Sequence, residues 1–331
     1  MNPTPRRDAI NALRERILPW YAKNKRDLPW RKTRDPYGLV VAEFMLQQTG
    51  VERVSDRWIA FLEKFPDWRT LASATAGDVI REWKGLGYNR RALNLHRLAA
   101  KVVNEFDGGL PAEREALVKL PGVGPYTAAA IQSFVFGLDV ASIDVNLIRV
   151  IGRVVLGEDR VPLAQIQPIA ACALPMGQAS AWNQALMDFA AKQCTPRRPA
   201  CHICPLLDVC VYAGSAGSNQ SNVNPPPSPS NQYGFRASDS NGLEYAEAAV
   251  RPTRQVAERQ APYAGSTRFF RGRIVDRLRA LVGGESIDAA ELESAVSEHA
   301  GADLIDFKQL LGALTKEGLI VSDAGGRLRL P

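Results

Sequence analysis

Apolar residues recur at helical spacing through much of the first two thirds of the chain. The stretches Ile10–Tyr21, Trp58–Phe65, Val79–Trp83 and Ala92–Phe106 each place them three and four positions apart, the signature of a helix with one buried face. Pro66, Gly85, Gly87, Gly108, Gly109 and Pro111 punctuate these stretches. No run of alternating polar and apolar residues argues for strands, so residues 1–212 are expected to be mainly α. From Gly214 the pattern changes. Ser-Asn-Gln-Ser-Asn and Pro225–Pro227 leave little to bury, and 213–266 reads as a disordered linker. Periodicity returns in 267–331. Helices are expected over Phe270–Val282, Asp288–Val296 and Phe307–Glu317, followed by a hairpin of Gly318–Val321 with Arg327–Leu330. Three helices and a two-stranded wing predict a small winged-helix-like domain.

Charge refines this division. The net charge is +6 over 331 residues. Residues 1–212 hold 28 Lys+Arg against 21 Asp+Glu, giving +7, and the remainder holds 13 against 14, giving −1. The excess points to a polyanionic partner for the first part. No apolar run approaches the ~20 residues of a membrane span, so no membrane partner is expected. Met1–Ile10 is polar and lacks a secretory h-region. A cytoplasmic protein is expected, beside the nucleoid if bacterial.

Four of the five cysteines cluster as C-x6-C-x2-C-x5-C: Cys194, Cys201, Cys204 and Cys210. Four thiolates in so short a loop suit a [4Fe–4S] cluster or a structural zinc. Zinc sites tend to pair their cysteines with short gaps, and only one pair here is so spaced. His202 lies within the loop as a bystander, with Arg197 and Arg198 supplying charge for phosphates or merely for solvent. Cys172, in an apolar stretch, reads as a buried core thiol.

Leu120-Pro-Gly-Val-Gly124 separates the helices expected over Glu113–Lys119 and Tyr126–Phe136. Pro121 stops the first, while Gly122 and Gly124 permit a tight turn with bare backbone N–H groups, a place for a phosphate. Two carboxylates sit among apolar neighbours. Asp144 in Ala141-Ser-Ile-Asp144-Val-Asn146 could simply cap the helix starting near Leu147. Glu43 in Val40-Val-Ala-Glu43-Phe-Met-Leu46 is expensive unless paired or functional.

Taken together, Leu28-Pro-Trp-Arg31, Asp35-Pro-Tyr37, Glu43-Phe-Met-Leu-Gln-Gln-Thr49, Gly85-Leu-Gly-Tyr88, Asn94-Leu-His96, Leu120-Pro-Gly-Val-Gly-Pro-Tyr-Thr127, Asn183-Gln-Ala-Leu-Met-Asp188 and the cysteines resemble the MutY-type adenine DNA glycosylases of the helix-hairpin-helix, iron–sulfur superfamily. The resemblance spans roughly 10–212. It implies a six-helix barrel domain, roughly 30–138, and a cluster domain built from 1–29 and 139–212. It also implies a [4Fe–4S] cluster on the four cysteines and, as partner, mismatched double-stranded DNA with a flipped adenine. By resemblance Glu43 protonates the adenine and later handles water. Asp144 stabilises the cationic sugar, Tyr126 lies beside the pair, and Asn146 orients the groups. Arg31 and Asp188 line the adenine pocket, Gln48 wedges into the gap left by the base, and Tyr88 inserts near the opposite base. Tyr126 stands where related strand-cleaving enzymes carry a Schiff-base lysine, which predicts a monofunctional glycosylase.

The resemblance stops short of 267–331. Many family members carry there a nucleotide-hydrolase-like domain that reads 8-oxoguanine, and this tail does not match it. Guanine and 8-oxoguanine therefore both remain candidate partners of the excised adenine, and the tail could add DNA affinity, bind a repair partner or be purely structural. Val145 and Gly50 also depart from the family pattern. A thymine glycosylase for T·G mispairs and a cluster-bearing DNA-binding redox regulator are the alternatives. A monomer is expected.

Overall fold

The structure is a computed structural model, and it describes residues 6–216, 266–281, 285–297 and 306–331. The predicted linker therefore lies almost wholly outside the described residues. In chain order the helices are α1 (Arg7–Asn24), α2 (Pro36–Leu46), α3 (Val51–Lys64), α4 (Trp68–Ser73), α5 (Ala76–Glu82), α6 (Arg90–Phe106), α7 (Arg114–Leu117), α8 (Pro125–Phe134), α9 (Val145–Ile151), α10 (Leu163–Ala173), α11 (Ala179–Lys192), α12 (Val211–Ala216), α13 (Thr267–Arg279), α14 (Ala289–Ser297) and α15 (Phe307–Glu317). Strands β1 (Val321–Ser322) and β2 (Leu328–Arg329) pair antiparallel, Val321 opposite Arg329. A π-helical turn, Gly152–Leu156, follows α9 directly. The mainly α expectation is met, and no helix among the described residues is long and apolar enough to cross a membrane.

Helix ends follow local chemistry. Asp67 caps α4 through the Thr70 N–H at 2.7 Å, Thr75 caps α5, and Asp306 caps α15. Each side-chain oxygen satisfies an amide with no partner inside the helix. Asp107, in the left-handed region at φ 49°, ends α6. Pro125 occupies the first turn of α8, where its missing N–H costs nothing.

Over the described residues the chain divides into two compact units. The first holds 6–39, 111–119 and 123–216, and the second 40–110, 120–122 and 266–331. Helix α8 thus groups with the first unit, whereas the resemblance implies a barrel domain running to about 138. The core of the first unit packs α1, α9, α10 and α11 through Leu13, Ile17, Leu147, Ile166, Trp182 and Phe189. Trp20 meets Phe189 edge-on at 5.0 Å. In the second unit α3 turns Val54, Trp58 and Phe61 inward, and α6 does the same with Leu95, Leu98 and Val102. Burying one such side chain contributes roughly 1.5–3 kcal/mol.

The tail belongs to the second unit. Its three helices bury Phe270, Ile274, Leu278, Leu292, Leu310 and Leu314, and a single bridge from Ile287 to Leu328 extends the two-stranded hairpin.

Candidate active site and cysteine-lined cavity

Asp144 is the N-cap of α9 and also the centre of a polar network. Its Oδ1 accepts the Asn146 N–H at 2.9 Å and the Leu147 N–H at 2.8 Å, and its Oδ2 accepts from Asn146 Nδ2 at 2.6 Å. The capping role anticipated from sequence is therefore present, and it fixes the carboxylate. Burial raises the Asp144 pKa, outweighing the hydrogen bonds that favour the charged form. Behind it, Asn146 Oδ1 accepts from Arg149, whose Nε donates to the Cys194 carbonyl at 3.0 Å and whose Nη2 donates to Ala190. The network thus runs from Asp144 to the cysteine loop. The approach to Asp144 is held by Asn183, wholly buried, which bonds the Ser142 N–H, the Val140 carbonyl and the Ser133 hydroxyl.

Glu43 lies on α2, half-buried between the buried Ala42 and Phe44. Tyr126 is half-buried in the first turn of α8. Arg31 and Asp188 are brought together directly. Asp188 is 0% exposed and takes Arg31 in a bidentate pair at 2.8 and 2.9 Å, the Arg26 Nε at 2.6 Å and the Arg26 N–H at 2.9 Å. Burial alone would raise this carboxyl, but the two arginines outweigh it and hold it below the usual range. So enclosed, Asp188 serves Arg31 and the chain entering the Pro29–Arg31 turn; Arg31 itself also stands 5.7 Å from the Tyr21 ring.

The hairpin glycines differ. Gly122 has φ 77°, and a Cβ there would come within 2.7 Å of the Phe44 ring and 2.8 Å of the Asn94 Cβ. Only glycine fits. Gly124 has φ −91° with open space around it, so its conformation is not what demands glycine. It stands as N-cap of α8 with no side-chain cap, which leaves a helix N-terminus suited to an anion.

Gln48 and Tyr88 share an unusual backbone: both are non-glycine residues at positive φ, 57° and 46°. Backbone strain of this kind gathers at functional sites. Arg91, which sequence reasoning missed, ties their loops together. Its Nη1 donates to the Phe44 and Met45 carbonyls at 2.9 and 2.8 Å and to the Gln47 carbonyl. Its Nη2 donates to the Thr49 hydroxyl at 2.9 Å and to the Leu86 and Gly87 carbonyls at 3.0 Å each. Arg91 is only 7% exposed, and burial lowers its pKa to about 10. A signal was available: Arg91, Leu95, Leu98 and Val102 share one face of α6, and an arginine on an apolar stripe needs a reason.

Cys194, Cys201, Cys204 and Cys210 line one cavity with Phe189 and Tyr212. Among the described residues no group of three His, Cys, Asp or Glu side chains is arranged to hold a single metal ion. Four cysteines on one largely apolar cavity wall fit a polynuclear iron–sulfur cluster. Burial pushes the Cys204 thiol up to about 11 and raises Cys194 and Cys210. Ligation by thiolates at neutral pH therefore needs the positive charge of the cluster irons. Arg153, 2% exposed, donates to Cys194 Sγ at 3.6 Å and to the Thr195 and Pro196 carbonyls, and pairs with Asp159. Arg197, Arg198 and His202 are exposed on this loop. Cys172 is exposed as well, which corrects the expectation of a core thiol: α10 turns Ile166, Ile169, Ala170 and Ala173 inward and Cys172 outward.

Comparison with known proteins agrees with this geometry. Residues 41–166 match the HhH-GPD superfamily base excision DNA repair protein, and 194–210 match the iron-sulfur binding domain of endonuclease III. An adenine DNA glycosylase of Mycolicibacterium smegmatis is 33% identical over 95% of this chain and 94% of its own length. A thymine/uracil-DNA glycosylase of Methanothermobacter thermautotrophicus is 34% identical over 62% of this chain and 96% of its own. The solved structure of a thermostable thymine-DNA glycosylase superposes with a TM-score of 0.60 at 32% identity, covering 63% of this chain and 98% of that one. The chain belongs to the HhH-GPD superfamily of base excision DNA repair proteins. More particularly, it is a DNA glycosylase that hydrolyses N-glycosidic bonds and carries a [4Fe–4S] cluster on the 194–210 loop.

Proposed function

We propose that this glycosylase releases adenine mispaired with guanine or 8-oxoguanine, without cutting the strand. The observation that carries the choice of adenine is the reach of the relatives. The mycobacterial adenine DNA glycosylase matches through the tail, over 95% of this chain, whereas the thymine/uracil enzyme covers 62%. The tail, which does not look like the 8-oxoguanine reader, is therefore no argument against adenine.

The chemistry follows from two carboxyl groups in different roles. With the base extruded, Glu43 in its acid form gives a proton to an adenine ring nitrogen. The C1′–N9 bond breaks, its electron pair leaving with the base, and the sugar becomes an oxocarbenium ion. The Asp144 carboxylate faces that positive charge, held for the task by Asn146. Water then adds to C1′ and returns its proton to Glu43. Tyr126 offers no amine for a Schiff base, so the product is an abasic site on an intact strand. Arg31, set by Asp188, borders the base pocket. Gln48 fills the gap in the duplex, Tyr88 enters beside the opposite base, and the Gly122–Gly124 hairpin with the α8 N-terminus takes a phosphate. The cluster, when bound, crosslinks the 194–210 loop and so braces the Cys194 end of the network that reaches Asp144. We read the tail as winged-helix-like from its element order.

The test is base release from an A·8-oxoguanine duplex, scored with and without alkali. Wild type should give breaks only after alkali, and Asp144→Asn should slow release by about 10²–10⁴-fold. Breaks without alkali sink the monofunctional assignment. An undiminished Asp144→Asn rate sinks the role of Asp144.

A further inference from the structure

Residues 83–89 join α5 to α6 and carry Tyr88. Three of them, Gly85, Gly87 and Tyr88, have positive φ: 84°, 68° and 46°. The tail holds this loop by both ends. Arg279, the last residue of α13, has a side chain only 7% exposed. Its Nε donates to the Ile80 carbonyl at 2.9 Å, and its Nη2 donates to Asn89 Oδ1 at 2.8 Å. Ile80 lies in the last turn of α5, where carbonyls run short of helical amides. Asn89 is the N-cap of α6, yet its side chain caps no amide of that helix. One guanidinium therefore spans the loop from entry to exit. The third nitrogen, Nη1, pairs with Asp276 on α13 at 2.5 Å.

Other contacts fasten the tail to the same two helices. The Pro331 carbonyl lies against Gly77 of α5 where no Cβ would fit, and Gly318 faces Leu93 and Arg97 of α6. On the loop itself, the Arg268 guanidinium stands 4.4 Å from the Tyr88 ring centroid and that of Arg91 at 5.5 Å. Arg91 fixes the loop from within α6, through the Leu86, Gly87 and Tyr88 carbonyls. Arg279 fixes it from outside, through its two flanks. A non-glycine residue at left-handed φ, as Tyr88 is, persists only where its surroundings over-determine it.

We infer that Arg279 is a positioning residue: by tying the end of α5 to the start of α6 it sets where the Tyr88 ring stands, and so makes the tail part of the device that discriminates the base opposite the excised one. The inference rests on the proposed placing of Tyr88 beside that base. Arginine suits the task because the nitrogens of one rigid plane reach α5, the start of α6 and α13 at once. A loosened loop lets the ring shift, and a small misplacement far from the chemistry is enough to blunt selection.

The test uses the full-length, cluster-loaded protein and two variants: Arg279→Met, which keeps the stem, and Asn89→Ala, which removes only the acceptor at the loop. Asp276 is more than half exposed, so Arg279→Met strands no buried charge. The Leu86, Arg91 and Ala92 amides bond the Trp83, Tyr88 and Asn89 carbonyls. Without DNA, their hydrogen exchange should quicken about tenfold in both variants, the worth of one charge-assisted bond, while amides of α3 stay as in wild type. In single-turnover release from A·8-oxoguanine and A·cytosine duplexes, the ratio of the two rates should fall about tenfold, and the double variant should fall no further than Arg279→Met alone. Unchanged exchange at the loop overturns the inference. A kept ratio also overturns it, even if both rates drop together, since that is general destabilisation. Additive effects of the two substitutions overturn it as well. Should wild type release no adenine, the proposed reaction fails, while exchange and the ratio of the two duplex affinities, read by anisotropy, still decide the role of Arg279.

Discussion

Replacing Arg91 by lysine keeps the charge and removes the fork. The guanidinium serves seven acceptors: the Thr49 hydroxyl and six carbonyl oxygens, that of Tyr88 through a longer bond of 3.4 Å. An ammonium has three donors on a longer, freer stem, so at least three acceptors lose their partner. Each lost bond to a charged group in a buried setting costs on the order of 1 kcal/mol once some water re-enters. Arg91→Lys should therefore destabilise the second unit by about 3 kcal/mol, a shift of roughly 6–12 °C in its thermal midpoint. The consequence for function is more specific. The freed acceptors belong to the Gln47–Thr49 and Leu86–Gly87 segments, so the loops carrying Gln48 and Tyr88 lose their common anchor. Duplex affinity should drop at least tenfold at a temperature where circular dichroism still reports a folded protein, and visible cluster absorbance should be unchanged. A variant that melts within 2 °C of wild type, or that melts early yet binds duplex normally, would refute the role given to Arg91.

Three further outcomes follow from the same geometry. Gly122→Ala should destabilise by roughly 1–3 kcal/mol and impair DNA binding, because it combines an unfavourable φ with contact against Phe44 and Asn94; equilibrium urea unfolding gives the first and anisotropy the second. Asp188→Asn leaves Arg26 and Arg31 around a neutral amide, and should cost about 3–5 kcal/mol and disorder the Pro29–Arg31 turn; a melting point equal to wild type would contradict it. Burial raises the Asp144 pKa, so the protonated form gains in the folded protein while catalysis uses the ionised one. Single-turnover release should accordingly fall, with falling pH, in a window above the ~3.9 of an exposed aspartate, and an acid limb at or below that value would contradict the burial argument.

Much of this was legible in the chain because the signals were local. The helix Phe307–Glu317 coincides with α15, and α6 covers the expected Ala92–Phe106 because its apolar face repeats cleanly. Asp144 could be read as a cap, and it is one. What escaped depends on partners far apart in sequence. Arg91 becomes intelligible only when the carbonyls of 44–47 and 86–87 are seen to converge. The resemblance puts Asp188 at the adenine pocket, but no signal in the sequence shows that Arg26, 162 positions away, closes around it. The apolar neighbours of Cys172 suggest a core thiol, yet helical phase turns it outward. The docking of the tail through Arg279 had no signal in composition or periodicity.

The most direct measurement of the central claim is the identity of the base set free. The cluster-loaded enzyme should be incubated with duplexes containing A·G, A·8-oxoguanine and T·G, and the released base identified chromatographically. Free adenine from the first two and no thymine from the third is the predicted result. Thymine from T·G without adenine from either of the others, or no base from any duplex, would contradict it.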